Sequence, residues 1–214
     1  MKRRILMASS IAVIAAALAF LAPASQVFSS DKEPRFPQLK MEQLNDQQRP
    51  FAEEIMKVSS IGLSGPYNPL LRSPVMGQRV FNLLDYLRFN TSVPRKLNEF
   101  AILIQARLWT SQVEWYAHYP LAIKAGLSEA VAADLKEGKR PASMQPDEAA
   151  VYDLCMELST KHVISDSTFK RMREFFTEQQ VVDLVAVSGT YVTVAMLISA
   201  AEENVPAGKT PPLQ

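Results

Sequence analysis

The sequence predicts an all-α protein, a single-domain antiparallel bundle of about eight helices. Apolar residues recur at helical spacing along most of the chain, the loops between these stretches are short, and no stretch alternates apolar and polar residues as a strand does. Hydrophobic residues make up 48% of the 214 positions, enough to bury one core. The net charge of +1 argues against a nucleic-acid partner.

The first 24 residues have the features of a secretory signal peptide. Lys2-Arg3-Arg4 precedes an uncharged apolar run that ends in small residues before Ser25. We predict cleavage there and export to the periplasm or the medium, which leaves 20 basic and 22 acidic residues. An uncleaved segment would anchor the protein in a membrane instead. The paired arginines also fit a twin-arginine signal, so the export route stays open.

The rest of the chain divides into an arm, a helical domain and a tail. Residues 25–40 are polar and contain proline, which indicates a linker or extended arm. Residues 41–205 form the helical domain, and residues 206–214 are expected to be loose.

Capping residues and helix breakers place the helices along the domain in order. The expected helices cover about 45–59, 74–89, 94–109, 111–125, 128–137, 147–161, 165–176 and 177–201. Two glycines and three prolines make 62–74 a predicted loop. The last helix is apolar on more than one face, so other elements or another subunit must cover it.

The segment 99–126 carries the most chemistry. Ser111, Glu114 and His118 share one helix face because they are three and four residues apart. Glu99 lies in an apolar run of the preceding helix, where an unpaired carboxylate is expensive to bury. We predict that Glu99, Glu114 and His118 meet in one partly buried pocket.

These residues also have structural explanations. Ser111 to Glu114 has the form of a capping box, Glu114 and His118 could be a weak surface pair, and Glu99 could simply be exposed. The residues that we expect to contact a substrate are Ser111, Trp115, Tyr67 and Asn68.

The sequence gives little support for metal or thiol chemistry. Glu114 and His118 offer only two ligands, and no phosphate-binding loop or nucleophile elbow is present, so we predict no metal and no cofactor. Cys155 is the only cysteine, and its place in a helical pattern is typical of a small core residue.

Several of these motifs resemble the carboxymuconolactone decarboxylase family. They are Glu99-Phe100-Ala101-Ile102-Leu103, Glu114-Trp115-Tyr116-Ala117-His118, Gly65-Pro66 upstream, and Val182-Asp183-Leu184 with Tyr191 downstream. The resemblance covers about 40–205. It implies an alkylhydroperoxidase D-like helical fold, often assembled as trimers or hexamers.

One branch of that family, similar to alkylhydroperoxidase D, uses a Cys-x-x-Cys pair with a histidine and an upstream glutamate. On this sequence the histidine falls on His118 and the glutamate on Glu99, but Ser111 and Glu114 stand at the cysteine positions. A hydroxyl and a carboxylate cannot exchange disulfides, so this member lacks the peroxidase thiols. The lactone decarboxylase branch works without a redox thiol.

We therefore predict a cofactor-free acid/base enzyme that acts on a small organic acid, a lactone or a related carbonyl compound. His118 would shuttle the proton, Glu114 would orient or charge-balance it, and Glu99 would be a second relay. The alternatives are a peroxiredoxin-like antioxidant, which the missing thiols disfavour, and a non-catalytic small-molecule-binding or structural oligomer. Expected partners are a small-molecule substrate and further copies of the chain, with a membrane only if the N-terminal segment stays uncleaved.

Overall fold

The computed structural model describes residues 33–59 and 61–214. Within these residues the chain forms nine α-helices and no strand, which confirms the all-α prediction. The helices are α1 (Gln48–Val58), α2 (Tyr67–Leu71), α3 (Pro74–Asp85), α4 (Arg95–Leu108), α5 (Gln112–Lys124), α6 (Glu129–Lys136), α7 (Pro146–Lys161), α8 (Asp166–Phe175) and α9 (Glu178–Ala201). A 3-10 turn at Met41–Gln43 precedes α1, and a π turn at Tyr86–Asn90 continues α3. The predicted signal peptide lies outside the described residues.

Helix α4 lies at the centre of the bundle. Every residue from Leu97 to Ala106 is buried, and α5, α7 and α9 pack around this stretch. A helix covered on all faces can keep polar side chains only where they find partners. Asn98 donates to the carbonyl of Leu87, and Gln105 donates to the hydroxyl of Ser188. The buried position of Glu99 therefore requires a partner too.

Helix α9 supplies the other long wall of the core. Thr177 Oγ1 accepts from the backbone N–H of Gln180, whose side chain accepts from the backbone N–H of Thr177, so the two residues form a capping box at the start of α9. By length and composition α9 could cross a bilayer, but half of its most apolar stretch is buried inside the fold. That burial is typical of the core helix of a globular bundle.

Two segments differ from the sequence prediction. Helix α2 forms within 62–74, which was predicted to be a loop, and it tolerates Pro69 because the first N–H groups of a helix have no helical partner. The tail after residue 205 is fixed at Leu213, which is buried and exchanges two hydrogen bonds with the side-chain amide of Gln112. The expectation of a loose tail is therefore wrong at this residue.

The described part of the arm runs along the end of α9. The backbone N–H of Arg35 donates to the carbonyl of Ala201, and the Arg35 guanidinium lies 2.8 Å from a carboxylate oxygen of Glu202. The carbonyl of Phe36 accepts from Asn68 on α2. The arm thus ties α2 to the C-terminal end of α9.

Candidate active site

A cavity of about 960 Å³ lies among α2, the end of α3, α5 and α9. Its walls are mainly aliphatic and aromatic, as in most small-molecule sites, whose volumes are about 300–1,000 Å³. Its polar lining includes Tyr67, Arg88, Glu114, His118 and Tyr191, together with the charged residues Asp85 and Lys136. The cavity therefore suits an organic molecule with a large apolar part and few polar groups.

His118 lines this cavity and forms a buried pair with Glu99, which is not itself among the lining residues. Glu99 Oε2 lies 2.7 Å from His118 Nδ1, and both side chains are more than nine-tenths buried. Burial lowers the pKa of His118, and the hydrogen bond to Glu99 only partly opposes this. A neutral imidazole that donates its Nδ1–H to Glu99 leaves Nε2 unprotonated. The pair can therefore take up a proton from a ligand.

Glu114 is close to the pair but is not part of it. Its side chain is 3% exposed, lines the cavity, and has no hydrogen-bond partner for either carboxyl oxygen among the described residues. Burial raises its pKa to about 8, and the nearby hydroxyl of Ser111 lowers it only in part. Glu114 thus carries a proton at neutral pH. The hydrogen-bond partner of His118 is Glu99, not Glu114.

Ser111 and Trp115 lie on the same helix as Glu114. Ser111 stands at the N-terminus of α5, but its buried hydroxyl makes no capping bond, so the capping-box explanation of Ser111 and Glu114 is wrong. Trp115 is buried, lines the cavity and stacks on Tyr119 with ring centres 6.3 Å apart. The α5 face predicted from spacing therefore does turn towards the cavity.

The other two residues predicted to contact a substrate, Tyr67 and Asn68, lie in different surroundings. Tyr67 lines the cavity, and burial raises the pKa of its phenol against the positive charge of Arg88. Asn68 is fully buried and turns away, because its amide nitrogen donates to Phe36 and lies 2.7 Å from Glu203. Asn68 is therefore a structural residue, contrary to the sequence prediction.

Two cavity residues were not among the predicted site residues. Arg88 reaches the cavity from the π turn, and its Nε is buried without a hydrogen-bond partner. Tyr191 on α9 is buried with its ring edge-to-face against His118, ring centres 5.1 Å apart. Tyr191 is the one aromatic residue of α9, and this was a usable signal in the sequence. The π turn that directs Arg88 towards the cavity has no recognisable signal in the sequence.

Cys155 lies away from these groups. It is fully buried in α7, it does not line the cavity, and burial raises the pKa of its thiol to about 12. Among the described residues no cluster of three His, Cys, Asp or Glu side chains could hold a metal ion.

Comparisons with known proteins match at the level of structure. No family model and no curated protein matches the sequence. A peroxidase-related protein from Ralstonia eutropha JMP134, described as an alkylhydroperoxidase AhpD core, aligns with a TM-score of 0.69 and 16% identity over 82% of this chain and 94% of that one. A peroxidase-related protein from Silicibacter sp. TM1040 aligns with a TM-score of 0.65, 16% identity and the same coverage.

The chain has an alkylhydroperoxidase D-like fold. This confirms the fold that the family resemblance implied. At 16% identity the likeness establishes the fold alone, so the chemistry must be argued from the side chains in the cavity.

Proposed function

We propose that this chain is an exported acid/base enzyme that acts on a small organic acid, a lactone or a related carbonyl compound. The observation that carries the proposal is the buried His118–Glu99 pair, 2.7 Å apart, at the wall of a largely apolar cavity. Groups whose surroundings push their protonation states apart are the usual arrangement of an acid and a base. Export is supported by Lys2-Arg3-Arg4 and the uncharged segment after it.

The base in this proposal is His118. Its Nδ1–H donates to Glu99, which holds the ring in one tautomer, and Nε2 takes a proton from a carbon next to a substrate carbonyl. The electron pair of the broken C–H bond moves into the carbonyl group and forms an enolate. Tyr191, packed edge-on against the imidazole, restricts the orientation of the ring.

The acid in this proposal is Glu114. A protonated carboxyl in an apolar wall donates a hydrogen bond to the carbonyl oxygen, and it transfers its proton as negative charge develops there. Because its oxygens have no partner among the described residues, a ligand oxygen would be the first group to satisfy them. This role replaces the charge-balancing role that the sequence alone suggested.

Turnover of a panel of lactones and β-keto acids tests the proposal. We expect His118→Ala to lower kcat/KM by about 10²- to 10⁴-fold, the usual contribution of a general base, and Glu99→Gln to lower it less. His162→Ala is the matched control, since His162 is the other histidine and is exposed at the end of α7. Wild-type turnover in His118→Ala would contradict the proposal, and binding without turnover would favour a non-catalytic role.

A thiol peroxidase is the second candidate, because both structural neighbours are described as peroxidase-related. That chemistry needs a thiolate and a resolving thiol. The chain has one cysteine, and Cys155 is fully buried with a raised pKa. We therefore place this candidate second.

A further inference from the structure

Two buried polar groups at the cavity lack a partner within the part of the chain that the structure describes. They are the carboxyl oxygens of Glu114 on α5, which the Ser111 hydroxyl approaches without a well-formed hydrogen bond, and the Nε of Arg88 on the π turn, whose guanidinium also lies near the Tyr67 phenol. Both side chains line the cavity. Leaving a buried polar group without a hydrogen bond is unfavourable, and more so when the group is charged. Two such groups facing one cavity indicate that a ligand supplies the missing partners.

Arg88 gives this site a positive charge. A guanidinium stays protonated at any pH at which proteins fold. Burial raises the pKa values of Tyr67 and Tyr191 and lowers that of His118; the charge of Arg88 partly opposes the first two shifts and adds to the third. The acidic side chains nearby already have hydrogen-bond partners. Glu99 is bonded to His118, and Asp85, which also lines the cavity, accepts from the side chain of Asn90.

The charge balance indicates the class of anion. Arg88 is the part-buried cation of the lining, and Lys136 is an exposed one. One part-buried guanidinium next to acidic residues suits a monoanion, and the planar fork of arginine matches the two oxygens of a carboxylate. A phosphate monoester carries more charge and would place it near Glu99 and Asp85. Apolar side chains make up most of the remaining lining, among them Phe81, Leu84, Trp115, Val194 and Ile198.

We infer that Arg88 is a specificity-determining residue that binds the carboxylate of an otherwise apolar organic acid in this cavity. The guanidinium holds the carboxylate, the apolar body lies against the aliphatic and aromatic wall, and Glu114 donates to a further ligand oxygen. The inference names the substrate class of the proposed function and rests on it for the identity of the site. It concerns binding, so it is tested without turnover.

Calorimetry with two probes of the same shape tests it. Naphthaleneacetate and naphthaleneacetamide differ only in whether the head group is charged. We expect the wild-type chain to bind the acid at least about tenfold more tightly than the amide, a difference that Arg88→Met abolishes. Arg88→Lys should keep part of the preference, because it keeps the charge and loses the fork. Arg79→Met, an exposed arginine on α3 outside the cavity, should bind like wild type.

Several results would overturn the inference. They are equal affinity for acid and amide, an unchanged preference in a folded Arg88→Met or Arg88→Lys variant, and no binding of either probe at millimolar concentration. Binding by His118→Ala separates this inference from the proposed function. If His118→Ala still prefers the acid, and the wild-type chain turns over no compound of the substrate panel, the enzyme proposal fails and the role of Arg88 stands.

Discussion

Glu114 makes stability depend on pH in a direction opposite to most carboxylates. Its pKa is about 8 in the folded chain against an ordinary value of 4.5, so the folded state holds the proton more tightly. The contribution to stability is therefore fully present below about pH 4.5 and is lost as the pH rises through about 8. Between these values the free energy of unfolding falls by up to about 1.4 kcal/mol per pH unit.

Glu114→Gln removes this titration, so we expect the variant to be more stable than wild type at neutral pH. The difference in unfolding free energy should be small near about pH 5 and grow by up to about 1.4 kcal/mol per unit towards pH 8. Chemical denaturation across that range measures it. Glu53→Gln, an exposed glutamate on α1, controls for the substitution itself. Parallel curves for wild type and Glu114→Gln would show that the carboxyl is not held protonated by burial.

Cys155 is the only thiol available for peroxide chemistry. A thiol whose pKa is about 12 is almost entirely protonated at neutral pH, and the thiolate is the reactive form. We expect no peroxide turnover with a dithiol reductant, and no change in Cys155→Ser. Robust turnover by wild type that disappears in Cys155→Ser would restore the peroxidase candidate.

Helices α2 and α3 approach each other at Gly77. A Cβ atom there would lie 2.4 Å from the carbonyl oxygen of Leu70 and 2.7 Å from Phe51 Cε1. The first of these is backbone, so relief requires α2 itself to shift. Since Tyr67 on α2 lines the cavity, this contact also positions part of the site.

Gly77→Ala should therefore destabilise the fold. Overpacking costs about 1–3 kcal/mol, and the better helix propensity of alanine returns at most about 1 kcal/mol. We expect a lower melting temperature. Gly189→Ala is the matched control, because Gly189 lies inside α9 and a Cβ there meets nothing within 4 Å. Equal melting temperatures for the two variants would contradict the close approach.

Most helices could be predicted because their ends depend on local chemistry. The Thr177 cap, the Ser128 cap and Pro146 in the first turn of α7 act within one turn of the chain. Helix α2 could not be predicted in this way, because Pro66 and Pro69 indicate a loop. Its five residues are stabilised as a helix by packing against neighbouring helices, among them α1 and α3. Such tertiary stabilisation is invisible to a local pattern.

The candidate site, like the helices, could be predicted only where local patterns determine it. The spacing on α5 placed Glu114 and His118 on one face, and the burial cost of Glu99 predicted a partner for it. In the structure Glu99 is hydrogen-bonded to His118, and Glu114 is not. Which carboxylate meets the imidazole depends on how α4 and α5 pack, and the sequence pattern does not give that. The direction of the Arg88 side chain depends on a π turn, in which one extra residue rotates the side chains that follow.

An apolar patch remains on the surface of the chain. It consists of exposed side chains: Leu83, Tyr86 and Phe89 around the end of α3, and Val182 and Val185 on α9. The π turn and α9 pack together, and Tyr86 donates to Asp183, so the two halves of the patch adjoin. A contiguous exposed apolar surface is typical of an interaction site.

We expect this patch to form the interface of a homo-oligomer, most simply a trimer or a multiple of it. A charged residue buried at a subunit interface without a partner is strongly unfavourable, so Val182→Glu combined with Val185→Glu should dissociate the assembly. Light scattering coupled to size-exclusion chromatography should give a multiple of the chain mass for wild type and a smaller mass for the double variant. Val163→Glu, an exposed valine after α7, is the control and should keep the wild-type mass. A monomeric wild type would refute the oligomer, and an oligomer that survives the double variant would move the interface elsewhere on the surface.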